Sequence, residues 1–354
     1  MRKKSIFVCL TIRHLFYSIS ISISKNINAT IIFCVNHQKL SEDDLDFDYL
    51  LTLGVKVVFF NEERYFNYGL FSRFPYIGKY YKFNRVKFEC VLKLIYSDLK
   101  PEEVDIVDDI YIYHERTLVS KAILKNRDAH LIEDGLANYR KQKVSYVYIS
   151  FLYRMFKGYN PFYQIMGEHN NIKKVYLSSP DLAFSEISKK VKDLKQEYIL
   201  NDFLISNLKK IFLRKVGVDN IENDSIVLLT QPIDWAGFCT TSLKLEIYQD
   251  IVNIAFMNGF IVYIKPHPRE SLSEYQGLKN TGFLNPKIPL ELMSAYFNDN
   301  KIRYYSLYTS AEFLSDGKFE KVVNLIENDE EWQEDNIKNI SEYAIEKIKK
   351  YTRK

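Results

Sequence analysis

The sequence predicts an α/β protein built as two parallel-sheet halves, and three observations carry that prediction. Short runs rich in Ile, Val and Phe alternate with longer stretches of helical spacing along the whole chain. The gaps between those runs leave room for crossover helices, which favours parallel strands. The 354 residues also exceed what one compact domain usually holds.

The first strand is Ile6–Leu10. Arg2, Lys3 and Lys4 before this apolar run give residues 1–24 the outline of a secretory signal, but Thr11, Arg13 and His14 interrupt it and no small-residue cleavage site follows. A buried strand running into a helix explains the same letters better. Strands at Ala29–Cys34, Lys56–Phe60, Ile110–Tyr113 and His130–Ile132 follow, with helical spacing between them, for example at Val86, Cys90, Leu94 and Ile95. Charged, helix-like segments at Ser185–Leu194 and Asp202–Lys215 lead to the polar run Asp219–Asp224, which sets a domain boundary at about residue 220. Beyond it the pattern repeats, with strands Ser225–Thr230, Phe260–Ile264, Arg303–Ser306 and Lys321–Leu325, and helices at about 241–257 and 289–297 and from near Ala311. Glu331–Lys354 reads as a final helix, with Ile337, Ile340, Ala344, Ile348 and Tyr351 along one side. The expected organisation is therefore 1–220, 221–330 and a helix 331–354 packing back on the first domain, with a ligand cleft between the two domains.

Composition excludes several classes. With 47% hydrophobic and 27% charged residues the chain is not disordered. A net charge of +4 is too balanced for a protein whose main partner is nucleic acid. Cys9, Cys34, Cys90 and Cys239 stand singly, so neither a zinc knuckle nor a disulfide framework is indicated. There is no run of 18 uncharged apolar residues, and a cytoplasmic location is the expectation.

Four short segments look chemical. In His130–Tyr139, Glu133 and Asp134 stand where an apolar strand gives way to Gly135; a plain Asp-Gly turn is the simpler reading. In Phe260–Glu270 a strand delivers His267, stiffened by Pro266 and Pro268 and flanked by Lys265 and Arg269, which suit an anionic ligand such as phosphate. Those cations lower the imidazole pKa until the anion arrives. Thr309 and Ser310, before an apparent helix, form either an anion site or an ordinary N-cap. In Leu228–Asp234 a strand ends in a polar turn carrying Gln231 and Asp234. Two acidic runs are set aside. Asp44, Asp46 and Asp48 look like a solvated helix face, and Asp105, Asp108 and Asp109 precede a strand instead of following one.

The segments Glu133-Asp-Gly135, Lys265-Pro-His-Pro-Arg269, Ile288-Pro-Leu-Glu291 and Tyr308-Thr-Ser-Ala311 occur in the order found in bacterial sialyltransferases. The chain resembles the lipooligosaccharide sialyltransferases of glycosyltransferase family 52 and the related polysialyltransferases of bacterial capsules. The likeness covers residues 130–140 and most of 225–315. It implies a GT-B fold, two Rossmann-like domains facing a central cleft, and inverting transfer of sialic acid from CMP-sialic acid to a surface glycan without a required metal or other cofactor. It matches His267 to the histidine that protonates or hydrogen-bonds the departing CMP phosphate. Thr309 and Ser310 would hold that phosphate, Glu291 the ribose hydroxyls, and Lys265, Gln231, Pro268 and Arg269 would complete the donor site. The base would be Asp234 by the lipooligosaccharide pattern, or Glu133 or Asp134 by the pattern of other bacterial sialyltransferases.

Two alternative functions stand beside this one: a GT-B hexosyltransferase using a nucleotide diphosphate sugar, and a glycan-binding protein of the same fold without activity. Aromatic residues in Tyr65–Tyr81 would stack on acceptor sugars or fill the core. The basic tail Lys347–Lys354 suggests peripheral contact with the inner membrane face, or simply a helix end whose cations complement its dipole. A homodimer is compatible with the sequence.

Overall fold

The computed structural model describes residues 2–41, 43–62, 107–144, 148–156, 158–213, 221–235, 237, 239–296, 302–307, 323–324 and 346. Its two compact units are Met1–Ile211 and Phe212–Lys354. The expected boundary at residue 220 lies outside the described residues. So do the helical spacing at 86–99, the aromatic segment 65–81, Asp105, Thr309, Ser310 and nearly all of the expected C-terminal helix with its basic tail.

The first unit runs β1 (Lys4–Cys9), α1 (Ile12–Ser24), β2 (Asn28–Cys34), α2 (Phe47–Thr52), β3 (Val55–Phe60), β4 (Asp109–Ile112), α3 (Leu118–Asn126) and β5 (Ala129–Ile132). A small hairpin of β6 (Gln142–Lys143) and β7 (Tyr163–Gln164) encloses α4 (Tyr148–Phe156). β8 (Ile172–Leu177), β9 (Val191–Asp193) and α5 (Asp202–Leu213) follow. The main sheet is parallel in the order β3-β2-β1-β4-β5-β8-β9. That is a doubly wound, Rossmann-like order whose direction reverses between β1 and β4. The apolar runs of the sequence become strands because both faces are covered: Ile6 to Cys9 and Ile31 to Cys34 are all buried. At the C-terminal end of β1 the chain turns directly into α1, where the Thr11 hydroxyl accepts the His14 N–H at 3.3 Å as an N-cap.

The second unit runs β10 (Ile226–Leu229), α6 (Thr241–Met257), β11 (Val262–Lys265), α7 (Leu272–Tyr275), β12 (Gly282–Phe283), α8 (Leu290–Tyr296), β13 (Arg303–Ser306) and β14 (Val323–Asn324). Its parallel sheet has the order β12-β11-β10-β13-β14, again reversing beside its first strand. Strand alternation divides the core. Ile226, Leu228, Val262, Ile264 and Tyr305 pack with Tyr248, Ile251 and Val252 of α6. Val227, Leu229 and Tyr304 pack with Leu284, Ile288 and Met293 on the opposite face. Each unit is thus the Rossmann-like α/β half that the strand spacing predicts.

Three expectations need correction. Ser185–Leu194 is not a helix: a 3₁₀ turn at Ser188–Lys190 leads into edge strand β9, whose short, charged sequence suits a sheet border. β8 was not expected as a strand, because Lys173 and Lys174 interrupt its apolar letters; both are exposed while Val175 to Leu177 are buried. Asp46 does not belong to a solvated helix face either. It is buried and caps α2 by accepting the Tyr49 N–H at 3.0 Å.

Candidate active site

The C-terminal edges of both sheets carry the chemistry-bearing side chains, as doubly wound sheets require. In the first unit, β5 delivers Glu133 and Asp134, and the chain then turns at Gly135, whose φ of 144° favours glycine. The amide groups of Asp134 and Gly135 both donate to Asn138 Oδ1, at 2.9 and 3.3 Å, so the turn holds itself. The two carboxylates differ sharply. Glu133 is buried, accepting from Tyr139 Oη at 2.6 Å, from the backbone N–H of Ser178 at 2.7 Å, from the Ser178 hydroxyl, and from Arg13 at 3.4 Å. Its oxygens tie β5 to the end of β8.

Asp134 keeps a quarter of its side chain exposed, and Oδ1 accepts from His14 Nε2 at 2.6 Å. That proton position follows from the other ring nitrogen: His14 Nδ1 accepts the Leu10 N–H at 3.1 Å, so the neutral ring carries its hydrogen on Nε2. The ring is fully buried and stacked on Tyr113 with centroids 4.0 Å apart, and burial lowers its pKa against the pull of Asp134. Burial also acts to raise Asp134, but His14, His114 and Arg13 outweigh it and hold the carboxyl at about 2. Oδ2 of Asp134 accepts no hydrogen bond among the described residues.

In the second unit the turn after β11 is fixed by a buried charged network. The His267 N–H donates to Thr230 Oγ1 at 3.0 Å and to Glu270 Oε2 at 3.1 Å, while the Glu270 N–H returns to the His267 carbonyl at 2.8 Å. Glu270 also accepts from the Thr230 hydroxyl, from Tyr275 Oη at 2.7 Å and from Lys244 Nζ at 3.1 Å. Lys244, wholly buried in α6, reaches Asp234 at 2.8 Å as well as Glu274. Asp234 Oδ2 accepts from Thr241 at 2.9 Å. Burial acts to raise the Asp234 pKa, yet Lys244 and Thr241 bring it below the ordinary value; the same carboxylates raise Lys244 despite its burial. The oxygens of Asp234, Glu270 and Glu274 lie within 4.8 Å of one another, the spacing of a cation site, and the Lys244 ammonium supplies the positive charge there.

His267 itself is half-buried. Its Nδ1 accepts the Arg269 N–H at 3.2 Å, so the proton sits on Nε2, which has no partner among the described residues. Burial, then Arg269 and Lys265, lower its pKa to about 4. At neutral pH it is an uncharged N–H donor. Lys265 is buried on the opposite face of the sheet, donates to the Pro286 carbonyl at 3.2 Å, and is brought down to about 8 by burial against the pull of Glu291. Glu291 is buried in the first turn of α8. Pro268 is half-buried and Arg269 exposed in the turn, and the Gln231 N–H donates to Tyr248 Oη at 2.8 Å.

The structure therefore joins Asp234 to the His267 turn through Lys244 and Glu270, and places Lys265 with Glu291. Glu133, Asp134 and Gly135 belong to the other unit. Reading the letters singled out neither His14 nor Lys244 nor Glu270. The signal available for Glu270 was its position three residues after His267, the span of a single turn.

A family model described as alpha-2,8-polysialyltransferase (POLYST) matches residues 79–303, which include the acidic-Gly and His-Pro segments. No curated protein matches the chain. Among solved structures, a UDP-GlcNAc 2-epimerase from Neisseria meningitidis is 13% identical, covering 98% of this chain and 90% of its own, with a TM-score of 0.49. A glycosyl transferase family 9 protein from Veillonella parvula is 11% identical over 99% and 97%, TM-score 0.37. The calicheamicin glycosyltransferase CalG4 is 10% identical over 100% and 94%, TM-score 0.40.

Proposed function

The chain belongs to the alpha-2,8-polysialyltransferase family, and from that premise we propose that it moves sialic acid from CMP-sialic acid to a hydroxyl of a bacterial surface glycan, with inversion and without a metal. Family membership makes it a sialyltransferase with a nucleotide-sugar donor and a glycan acceptor. The finer reading rests chiefly on one observation: of the three carboxylates considered as base, Asp134 alone is a quarter exposed with an oxygen that accepts no hydrogen bond among the described residues. Glu133 is saturated and buried, and Asp234 is bound to Lys244 and Thr241.

In this reading Asp134 Oδ2 takes the proton of the acceptor hydroxyl while His14 holds Oδ1. A positioned carboxylate contributes on the order of 10²–10⁴-fold. His267 donates its Nε2–H to the phosphate oxygen as the bond to sialic acid breaks. Because it is neutral before the donor binds, it adds no fixed cation; it stabilises the departing CMP phosphate by hydrogen bonding through Nε2–H and keeps its proton, while the acceptor's proton leaves on Asp134. Arg269, Thr309 and Ser310 add donors to the same phosphate. Glu291 is assigned to the ribose, with the Lys265 charge near it, and Gln231 and Pro268 shape the donor site. CMP leaves with a single phosphate, so hydrogen-bond donors suffice to stabilise it.

The test is transfer itself. Purified protein, an oligosaccharide acceptor and CMP-sialic acid in excess chelator should yield CMP and a glycan heavier by one or more sialic acids, with the anomeric configuration inverted by NMR. Transfer from a UDP-hexose in place of CMP-sialic acid would overturn the reading in favour of a hexosyltransferase.

A further inference from the structure

The hairpin and helix beyond the acidic-Gly turn present an apolar surface that the proposed chemistry leaves unused. Phe156 is 88% exposed, with Met155 and Phe162 each more than half exposed. Two of them are linked through Phe151: Phe162 packs on Phe151 with ring centroids 5.7 Å apart, and Phe151 lies one helical turn before Met155, while Phe156 follows Met155 at the end of α4. The surface is held from beneath. Buried Arg154 donates to the carbonyls of Asn160 and Tyr163 at 2.6 and 2.8 Å and pairs with Glu168 at 2.8 Å, fastening the turn that carries Phe162 to α4.

The rim is basic. Lys143 pairs in register with Tyr163, and Lys141 stands 4.4 Å from the Tyr163 ring while pairing with Glu186 at 3.5 Å. Between Gly135 and Gly167 the sequence has no Asp or Glu and nine Tyr or Phe; of its five Lys or Arg, Arg154 is buried against Glu168 and Lys141 shares the rim with Glu186. Exposed Phe and Met, an aromatic border and a cationic rim together match the interface of an anionic bilayer. A sugar ring can stack on one Phe face, but exposed Met155 and Phe156 at the end of α4 together with Phe162 suit an acyl-chain border better. Among the described residues no helix is long and apolar enough to cross a membrane, so the contact is one of lying on the surface.

We propose that the α4–β7 surface seats on an anionic lipid bilayer, with Met155, Phe156 and Phe162 entering the headgroup region and Lys141 and Lys143 facing the phosphates. This assignment does not depend on sialyl transfer. It is tested by flotation of the full chain with vesicles of phosphatidylcholine alone or mixed with phosphatidylglycerol. The protein should float with the anionic vesicles and be released by raised salt. Phe156→Ser with Phe162→Ser should weaken vesicle binding by about tenfold or more with the protein still folded, because Phe156 is almost wholly exposed and Phe162 loses only its contact with Phe151. Phe203→Ser, exposed on α5, should leave binding unchanged. Three results would overturn the proposal: undiminished binding in the double variant, loss only on substituting Lys349 and Lys350 of the tail, or weakened binding of a soluble anionic polysaccharide in the double variant with vesicle binding intact.

Discussion

Among the described residues, the first unit has a fully committed histidine and an unpartnered carboxylate oxygen, and the second has an unpartnered histidine nitrogen and committed carboxylates. Both His14 and His267 accept a backbone N–H on Nδ1 and so carry their hydrogen on Nε2. His14 points that hydrogen into Asp134, whereas the Nε2 of His267 meets no described residue. Conversely Asp234 and Glu270 surround the buried Lys244 ammonium, whereas Asp134 Oδ2 accepts no hydrogen bond among the described residues. The same residue types, at equivalent edges of two sheets with like strand order, thus suit, in the proposed reading, one edge to accept a proton and the other to donate a hydrogen bond. What separates them is which polar atoms the surrounding backbone has already engaged.

The contrast can be broken most directly at its donor. His267→Ala should leave the fold intact and reduce turnover by roughly 100-fold or more; a rate near normal removes the imidazole from the reaction. The next largest effect is on stability. Lys244→Met leaves the Asp234, Glu270 and Glu274 carboxylates close together without a cation, and should cost about 3–5 kcal/mol in urea unfolding. An unchanged unfolding midpoint would show that the network does not hold the His267 turn.

A subtler change sharpens the acceptor side. With Asp134 at about 2, the transfer rate should show no acid limb from this group above pH ~3. His14→Leu removes the N–H that favours the charged carboxylate and leaves burial to raise its pKa, with Arg13 and His114 still opposing. The base is then protonated at higher pH, so an acid limb should move up by about 1–2 pH units. His14→Gln, which keeps a donor, should move it back. A limb that stays in place in both variants contradicts the role given to His14.

The fold was legible wherever apolar runs are long enough to be buried on both faces. β1 to β5, β10, β11 and β13 were all expected within a residue or two of where they form. β8 and β9 were not, because their lysines face solvent at the far side of the sheet, and only the partner strand shows that Val175 and Leu177 are core. Of the candidate site, the acidic-Gly and His-Pro residues were legible because they sit just after apolar strands β5 and β11. Its supports were not. Lys244 reads as an ordinary surface lysine in a helix, and its three carboxylates lie 10, 26 and 30 residues away in the sequence, brought together only by the β–α–β crossover. His14 read as an interruption of an apolar run, although its backbone position directly after β1 is what places it beneath Asp134.

The most direct measurement compares turnover of Asp134→Asn with that of Asp234→Asn at a temperature where both are folded. The account predicts that Asp134→Asn loses roughly 100-fold or more in kcat at an unchanged thermal midpoint. Asp234→Asn should instead melt earlier and keep turnover within about tenfold of normal, because its carboxylate serves Lys244. Silent Asp234→Asn beside active Asp134→Asn would place the base in the second unit and contradict the assignment.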